Sequence, residues 1–367
     1  MPLDTANLTP AASLNRVPFV PLPGLPFPAE YTDKSAFDLL SSQALAARVQ
    51  RHGQQLCLEL EDGRDPLLAF DRCFLSGDLA VRQLAEQIAE SIGQALGYLV
   101  LTLKRGDDIS RAKRPEWDDS YWAQWGQVNQ VWLGGGTVSG LLGQRLAKHA
   151  QNFINASGSL PCRVAVSPYK NLMPLFGLAR YMPLGTLSAL VFDCGASSTK
   201  RAAVQYRESC LSKLRAYPSI PMPYGAFSPD SLGQATIILE HLLDVICRTH
   251  GAVSGDAIDT IGLCLACYLQ HGQPFDKGCY GSLRLVSDDL QCLLVAELTR
   301  RLKKTIRVIL MHDGTAAAAA HAGKPQAAVV MLGTALGLGF PAPEALPIRV
   351  DPIPLTNSSI AAKSEAD

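Results

Sequence analysis

The chain has 367 residues, 47% apolar and 18% charged, and its 33 Lys and Arg are balanced by 33 Asp and Glu. That length supports two domains or lobes with full cores, and the composition excludes wholesale disorder. Zero formal net charge gives no basic excess for a nucleic-acid partner, and no basic amphipathic stretch suits a membrane surface.

Ten cysteines without a secretory signal peptide indicate a reducing compartment and free thiols, so a cytoplasmic protein is expected. Cys264 and Cys267 form a CxxC, but inside an apolar run and with no second CxxC. Buried strand thiols are favoured there over zinc or redox use. No uninterrupted apolar run reaches the length of a membrane span.

In chain order, residues 1–36 hold six prolines between Pro10 and Pro28 and show no period. They read as an irregular arm whose Phe19, Val20, Leu22, Leu25 and Phe27 could lie on the body of the protein. Residues 37–50 have helical spacing, and 78–96 continue as a long amphipathic helix. The segment from Lys104 to Trp125 is polar and Trp-rich and reads as a loop or insertion, its aromatics covering a core edge. Residues 128–140 read as strand, triple glycine and helix start, the helix running to about Phe153. A strand at 162–167 and a helix at 171–182 follow.

Leu187–Val204 reads as a hairpin: an apolar strand into Asp193, a turn through Gly195 to Thr199, then Lys200 and a second apolar run. A third strand is expected at 212–220, a helix at 231–250, a buried strand at 259–269 and an amphipathic helix at 288–304. Residues 305–311 form a strand that ends at His312-Asp313-Gly314-Thr315 and opens a helix. Residues 327–340 read as strand, glycine turn and strand, and the tail 351–367 as frayed. Strands and helices alternating on both sides of the Asp193 hairpin make an α/β protein of two lobes with mixed sheets.

Four Gly- or Asp-bearing turns sit at strand ends: Asp193–Lys200, His312–Thr315, Gly333–Gly337 and Gly134–Gly136. Ligand sites in α/β folds gather where strands end, so the four suggest one cleft. A carboxylate, small residues, hydroxyls and a cation suit the terminal phosphates of a nucleotide. Gly195, Ser197, Thr199 and Lys200 would contact the phosphates, and Asp193 would hold magnesium, usually through water. Asp313 is either the N-cap of its helix or a general base that takes a proton from an attacking hydroxyl, and both roles can hold together. His312 is expected to be packed or hydrogen-bonded, yet within reach of a substrate. Gly333, Thr334 and Gly337 would add N–H donors for phosphate. Gly134, Gly135, Gly136 and Gly140 also fit a dinucleotide turn, but the next strand ends in Ser167-Pro168-Tyr169 rather than in an acid. A glycine surface against an adenine ring suits them better.

Asp-Cys-Gly-Ala-Ser-Ser-Thr-Lys resembles the first phosphate motif of the sugar kinase/hexokinase/actin superfamily. His-Asp-Gly-Thr-Ala-Ala-Ala resembles its catalytic Asn-Asp segment, and Leu-Gly-Thr-Ala-Leu-Gly its second phosphate loop. Val-Trp-Leu-Gly-Gly-Gly-Thr-Val-Ser is similar to the adenosine motif of ROK-type sugar kinases, and Pro174–Arg180 to the closing helix after it. The likeness covers most of residues 37–340, but the order differs, with the adenosine motif and closing helix first. The resemblance therefore implies a circularly permuted pair of ribonuclease H-like lobes around a central cleft. One lobe would comprise 37–167 plus 326–350, the other 168–325. The permutation predicts that strands near 328–340 share a sheet with those at 129–133 and 163–167. Two departures stand out: His312 replaces the family's sugar-binding Asn, and the Glu-x-Gly-His and cysteine-rich zinc motifs are not found.

The resemblance implies a kinase that moves the γ-phosphate of ATP, with magnesium, to a hydroxyl of a sugar or sugar-like molecule. Asp313 would be the base, with His312 and Asp313 facing the substrate. A homo-oligomer is compatible with this reading. The alternative is a catalytically inactive nucleotide- or sugar-binding regulator, and a third reading is an ATPase without an acceptor.

Overall fold

Side chains that accept backbone N–H groups start most of the early helices. In the computed structural model, which describes residues 8–58, 65–158, 161–225, 228–253 and 258–350 with the backbone of 356–357, Ser35 caps α1 (Ala36–Leu40) in a reciprocal box with Asp38. Ser41 then caps α2 (Ser42–Arg51). The helical period expected over 37–50 is thus two helices, because Ser41 is extended (φ −66°, ψ 151°) and its hydroxyl accepts the Ala44 N–H. Asp65 caps α3 (Pro66–Cys73) and Asp78 caps α4 (Leu79–Arg105).

α4 runs well past residue 96, since residues 95–104 are all buried and nothing breaks the helix before Gly106. The Trp-rich stretch expected as a loop folds as α5 (Asp108–Ala112) and α6 (Asp119–Gln127). Asp118 caps α6, and Trp117, Trp122 and Trp125 are buried. Polar residues on the outer face hid a helix whose aromatic face is core.

The chain continues through β1 (Gln130–Gly134), α7 (Leu141–Ala156), β2 (Arg163–Val166) and α8 (Met173–Arg180). An antiparallel meander follows, β3 (Ser188–Cys194), β4 (Ser198–Arg207) and β5 (Cys210–Pro221). Next come α9 (Leu232–Ala252), β6 (Thr260–Leu265), a small hairpin of β7 (Leu269–Gln270) and β8 (Gln273–Pro274), and α10 (Leu290–Leu302). β9 (Arg307–His312), α11 (Asp313–Ala319), β10 (Ala327–Leu332), β11 (Leu336–Gly339) and β12 (Thr356–Asn357) complete the order.

The fold is mixed α/β, in two compact units. The first comprises residues 11–171 and 326–340 and holds a sheet in the order β11-β10-β1-β2. β1 pairs in parallel with both β10 and β2, so strands from opposite ends of the chain share this sheet, the pairing expected from the motif order. The proline-rich arm packs within this unit from residue 11. Phe19, Val20 and Leu22 are buried, and the Tyr98 hydroxyl accepts the Leu22 N–H and donates to the Val20 carbonyl. Arg114, Trp117 and Tyr121 donate to the carbonyls of Ala11 and Ala12.

The second unit comprises 172–325 with 341–350, and its sheet runs β12-β5-β4-β3-β6-β9. β3, β6 and β9 are parallel neighbours. Their apolar residues Leu190, Phe192, Ile261, Leu263 and Val308 form one buried cluster with Leu242 and Ile246 of α9 and Leu294 and Leu298 of α10. Residues 341–350, expected with the other lobe, lie in this unit. The Ala342 carbonyl accepts the Gly323 N–H, the Arg349 carbonyl the Leu211 N–H, and the Ile348 carbonyl the Arg180 side chain. Of the tail 351–367, only the β12 backbone lies within the described residues. No helix among the described residues is long and apolar enough to cross a membrane.

Candidate functional site

Parallel pairing in the second unit brings three strand ends to one level. In register, Asp193 lies beside Cys264 and Leu265 lies beside His312, while Lys200 of β4 faces Asp193 across the hairpin. Asp193, Lys200 and Asp313 are thereby gathered at the C-terminal edge of β3, β6 and β9, where α/β sheets place their ligands.

Asp193 is buried, and Lys200 Nζ donates to its Oδ2 at 2.6 Å. The Cys264 thiol donates to Oδ1 at 3.6 Å. Burial pulls the Lys200 ammonium down, but the Asp193 carboxylate outweighs it and holds the group above its usual range. The pair is mutually neutralised. Burial and the same carboxylate push the Cys264 thiol far up, so it stays protonated and remains a donor.

The turn from Gly195 to Ser198 is tied by its carbonyls. Tyr280 Oη donates to Gly195 O at 3.3 Å, and the Met222 N–H donates to Ser197 O at 3.0 Å. Ser197 is exposed at the tip. Thr199, expected to face phosphate, is fully buried with its side chain turned toward Cys194 and Tyr280. Its inward direction follows from strand alternation, which puts Thr199 and Lys200 on opposite faces of the sheet.

Asp313 opens α11 and is partly accessible, its side chain 23% exposed. Its Oδ1 accepts the Gly314 N–H at 2.6 Å and lies 3.1 Å from His312 Nε2. Burial first, and then the nearby Asp193 carboxylate, raise its pKa from 3.8 to about 7. The Asp276 carboxylate adds to the rise, while the Gly314 N–H and Lys200 oppose it. A carboxyl that titrates near neutrality can take a proton and release it. The helix's N-cap is His312, not Asp313, so the capping role considered for Asp313 falls to its neighbour.

His312 is buried, stacked on Tyr268 with ring centres 4.6 Å apart and planes at 19°. Burial lowers its pKa to about 4, leaving a neutral ring. It is therefore packed into the fold, as expected. α11 is held from behind by α8. A Cβ at Gly177 would overlap the Ala316 carbonyl oxygen, so only glycine admits this approach. Arg180 donates to the Ala320 carbonyl just past the end of α11.

The remaining candidates form a second group, in the first unit. Gly134 and Gly135 are buried at the end of β1, whereas Gly136 is exposed and a Cβ there would meet nothing within 4 Å. Gly135 has φ +97°, and a side chain on it would overlap the Leu332 carbonyl at the end of β10. Gly135 therefore lies against the last residue of β10. Of the three glycines, Gly136 alone offers the flat open face that an adenine ring needs. Gly333, Thr334 and Gly337 are half-buried. The Gly333 carbonyl accepts the Ser42 N–H at 2.7 Å. Asn15 grips Leu336 twice: Oδ1 accepts its N–H at 2.8 Å and Nδ2 donates to its carbonyl at 3.0 Å.

Four contributors escaped the sequence reading: Cys264, Asp276, Tyr280 and Asn15. Cys264 could have been found only by aligning β6 with β3, because the motif around Asp193 does not contain it. Asp276 and Tyr280 come from an irregular segment, and Asn15 lies more than 300 residues from Leu336 with nothing local to mark it.

Asp193 is the kind of oxygen ligand magnesium takes, but it is buried with Oδ2 engaged by Lys200 and Oδ1 by the Cys264 thiol, so Lys200 would have to turn away for it to hold an ion through water. Among the described residues no group of three or more His, Cys, Asp or Glu could hold a metal ion. No protein-family model and no curated protein matches this chain.

Proposed function

We propose that this chain is an ATP- and magnesium-dependent phosphotransferase acting on a hydroxyl of a sugar or sugar-like molecule. The observation that carries the reading is the cluster at one sheet edge: Asp193 paired with Lys200, and Asp313 beside them with its pKa raised to about 7. In the reaction, the acceptor oxygen forms a bond to the γ-phosphorus, the bond to the ADP oxygen breaks, and the hydroxyl proton passes to Asp313. Lys200 exchanges its partner Asp193 for phosphate oxygens. Magnesium, where bound, supplies charge neutralisation at the phosphates. Burial first, and then the neighbouring Asp193 and Asp276 carboxylates, keep Asp313 basic enough to accept a proton near neutral pH.

The strand order β5-β4-β3-β6-β9, an antiparallel meander followed by parallel strands, supports a ribonuclease H-like lobe. The joining of β10 and β11 to β1 and β2 supports a circularly permuted relative of the ROK and hexokinase-like kinases. The acceptor shell departs from that group, because His312 is packed away from the position where an Asn would read a sugar hydroxyl.

Two observations favour a second reading, a binding module without turnover. Asp193 and Lys200 satisfy each other, and the Leu336 N–H is occupied by Asn15. ADP release from ATP and magnesium, measured across a panel of hexoses, amino sugars and polyols, separates the readings. Release stimulated by one of these sugars is expected. Release at the same rate without any sugar would mean an ATPase, and no release with ligand-induced stabilisation would mean a binding module.

A further inference from the structure

We propose that Asn15, in the proline-rich arm, is a positioning residue for the turn Gly333–Ala335. It fixes that turn so that the N–H groups of Thr334 and Ala335 are the donors offered to a nucleotide phosphate. The phosphate rests on the phosphotransferase reading; the hold on the turn rests on hydrogen bonds alone. Asn15 lies outside residues 37–340, so the family likeness does not supply it.

The amide of Asn15 is fully used. Nδ2 donates to Ser13 Oγ at 3.1 Å and to the Leu336 carbonyl at 3.0 Å, while Oδ1 accepts the Leu336 N–H at 2.8 Å. That set of donors and acceptors fits one orientation of the amide. The backbone around it is anchored: Leu14 and Val17 are buried, and the Val17 carbonyl accepts the Ala36 N–H at 2.8 Å. β11 is the terminal strand of its sheet. Asn15 therefore does for its outer edge what a further strand would do, pairing with both backbone groups of one residue.

The other end of the turn is held by α2, whose Ser42 N–H donates to the Gly333 carbonyl at 2.7 Å. In a trans peptide the carbonyl and the following N–H point opposite ways. With the Gly333 carbonyl turned to Ser42, the Thr334 N–H points away from α2. Leu336 commits its N–H and carbonyl outward, so the residue that bonds across to β10 is the next one, Gly337, opposite Met331. Gly337, expected among the phosphate donors, thus spends its N–H on the sheet. Among the described residues the N–H groups of Thr334 and Ala335 donate to no protein acceptor, and Ala335 is exposed. Two successive N–H groups of this kind, in a turn tied at both ends, suit the oxygens of an anion.

Two variants release the turn at different ends. Asn15→Leu removes every hydrogen bond of the side chain while keeping an apolar stem. Ser42→Pro removes the N–H that holds the Gly333 carbonyl. Ser42 is the first residue of α2, where proline is tolerated, and Ser41 before it already has the extended backbone that proline requires. The variants act on different elements, so one decides if the other does not fold.

The first test is amide ¹⁵N relaxation of the full-length chain without ligand. Thr334 and Ala335 are expected to be as rigid as Met331 and Leu338, and either variant should loosen them while Val131 and Leu133 of β1 stay unchanged. Mobile Thr334 and Ala335 in the wild type, or rigid ones in Asn15→Leu, overturn the hold, whether or not the chain is a kinase. The second test is calorimetric binding of ATP with magnesium and of adenosine. Each variant should weaken ATP by about tenfold, the scale of a lost charge-assisted hydrogen bond, with adenosine affinity unchanged. ATP and adenosine weakened together, as a general loss of structure would do, or neither weakened, overturns the positioning role. A wild type that binds no ATP defeats the phosphotransferase reading and the phosphate with it, while the relaxation still decides the hold.

Discussion

Replacing Asp313 by Asn should make the protein more stable at alkaline pH. The folded carboxyl titrates at about 7 against 3.8 for an unperturbed aspartate, so the folded state binds a proton that the unfolded state has already released. Between those values stability falls as pH rises, and above about pH 7 the full penalty is in place. The displacement, at about 1.4 kcal/mol for each pH unit, is worth about 4 kcal/mol. Partial exposure of the side chain reduces this to about 2–4 kcal/mol. Asn keeps Oδ1, and with it the bond from the Gly314 N–H, while removing the charge that faces Asp193 and Asp276. Denaturant unfolding at pH 8 should show Asp313→Asn more stable than wild type by that margin. The gap should narrow steadily to nothing near pH 4, where both forms are neutral at this position. A variant no more stable at pH 8, or a gap independent of pH, would refute the burial and like-charge account of this carboxyl.

Lys200→Met removes the cation from a buried pair and should cost about 3–5 kcal/mol in denaturant unfolding; adding Asp193→Asn should recover most of it, because no unpaired charge is then left. Gly177→Ala forces a methyl group into the Ala316 carbonyl and should lower stability by about 1–3 kcal/mol, read as a lower Tm. Asn15→Leu strips both bonds from Leu336 and should cost about 1–3 kcal/mol. Hydrogen exchange should then quicken at the Leu336 amide ahead of the core strands.

The hairpin at Asp193 was legible because a strand, a turn of small residues and a returning strand leave a local pattern. The pairing of β10 with β1 was legible only through the order of motifs, since no local signal links residue 130 with 327. The helix α6 was not legible by polarity: Asp118 and Asp119 at its start and its polar outer face outweighed its buried Tyr121, Trp122 and Trp125 in a simple count. Thr199 was assigned to the turn because hydroxyls beside a glycine suggest phosphate, but the alternation of β4 had already committed it to the core. His312 was placed correctly as a packed side chain.

The central claim is that Asp313 takes the acceptor's proton. It is tested most directly by measuring kcat and nucleotide affinity together for wild type and Asp313→Asn, at pH 8 with a sugar that supports turnover. The account predicts nucleotide binding unchanged and kcat lower by about 10²-fold or more. An Asn variant that still turns over within a few-fold of wild type, or one that no longer binds nucleotide, would contradict it.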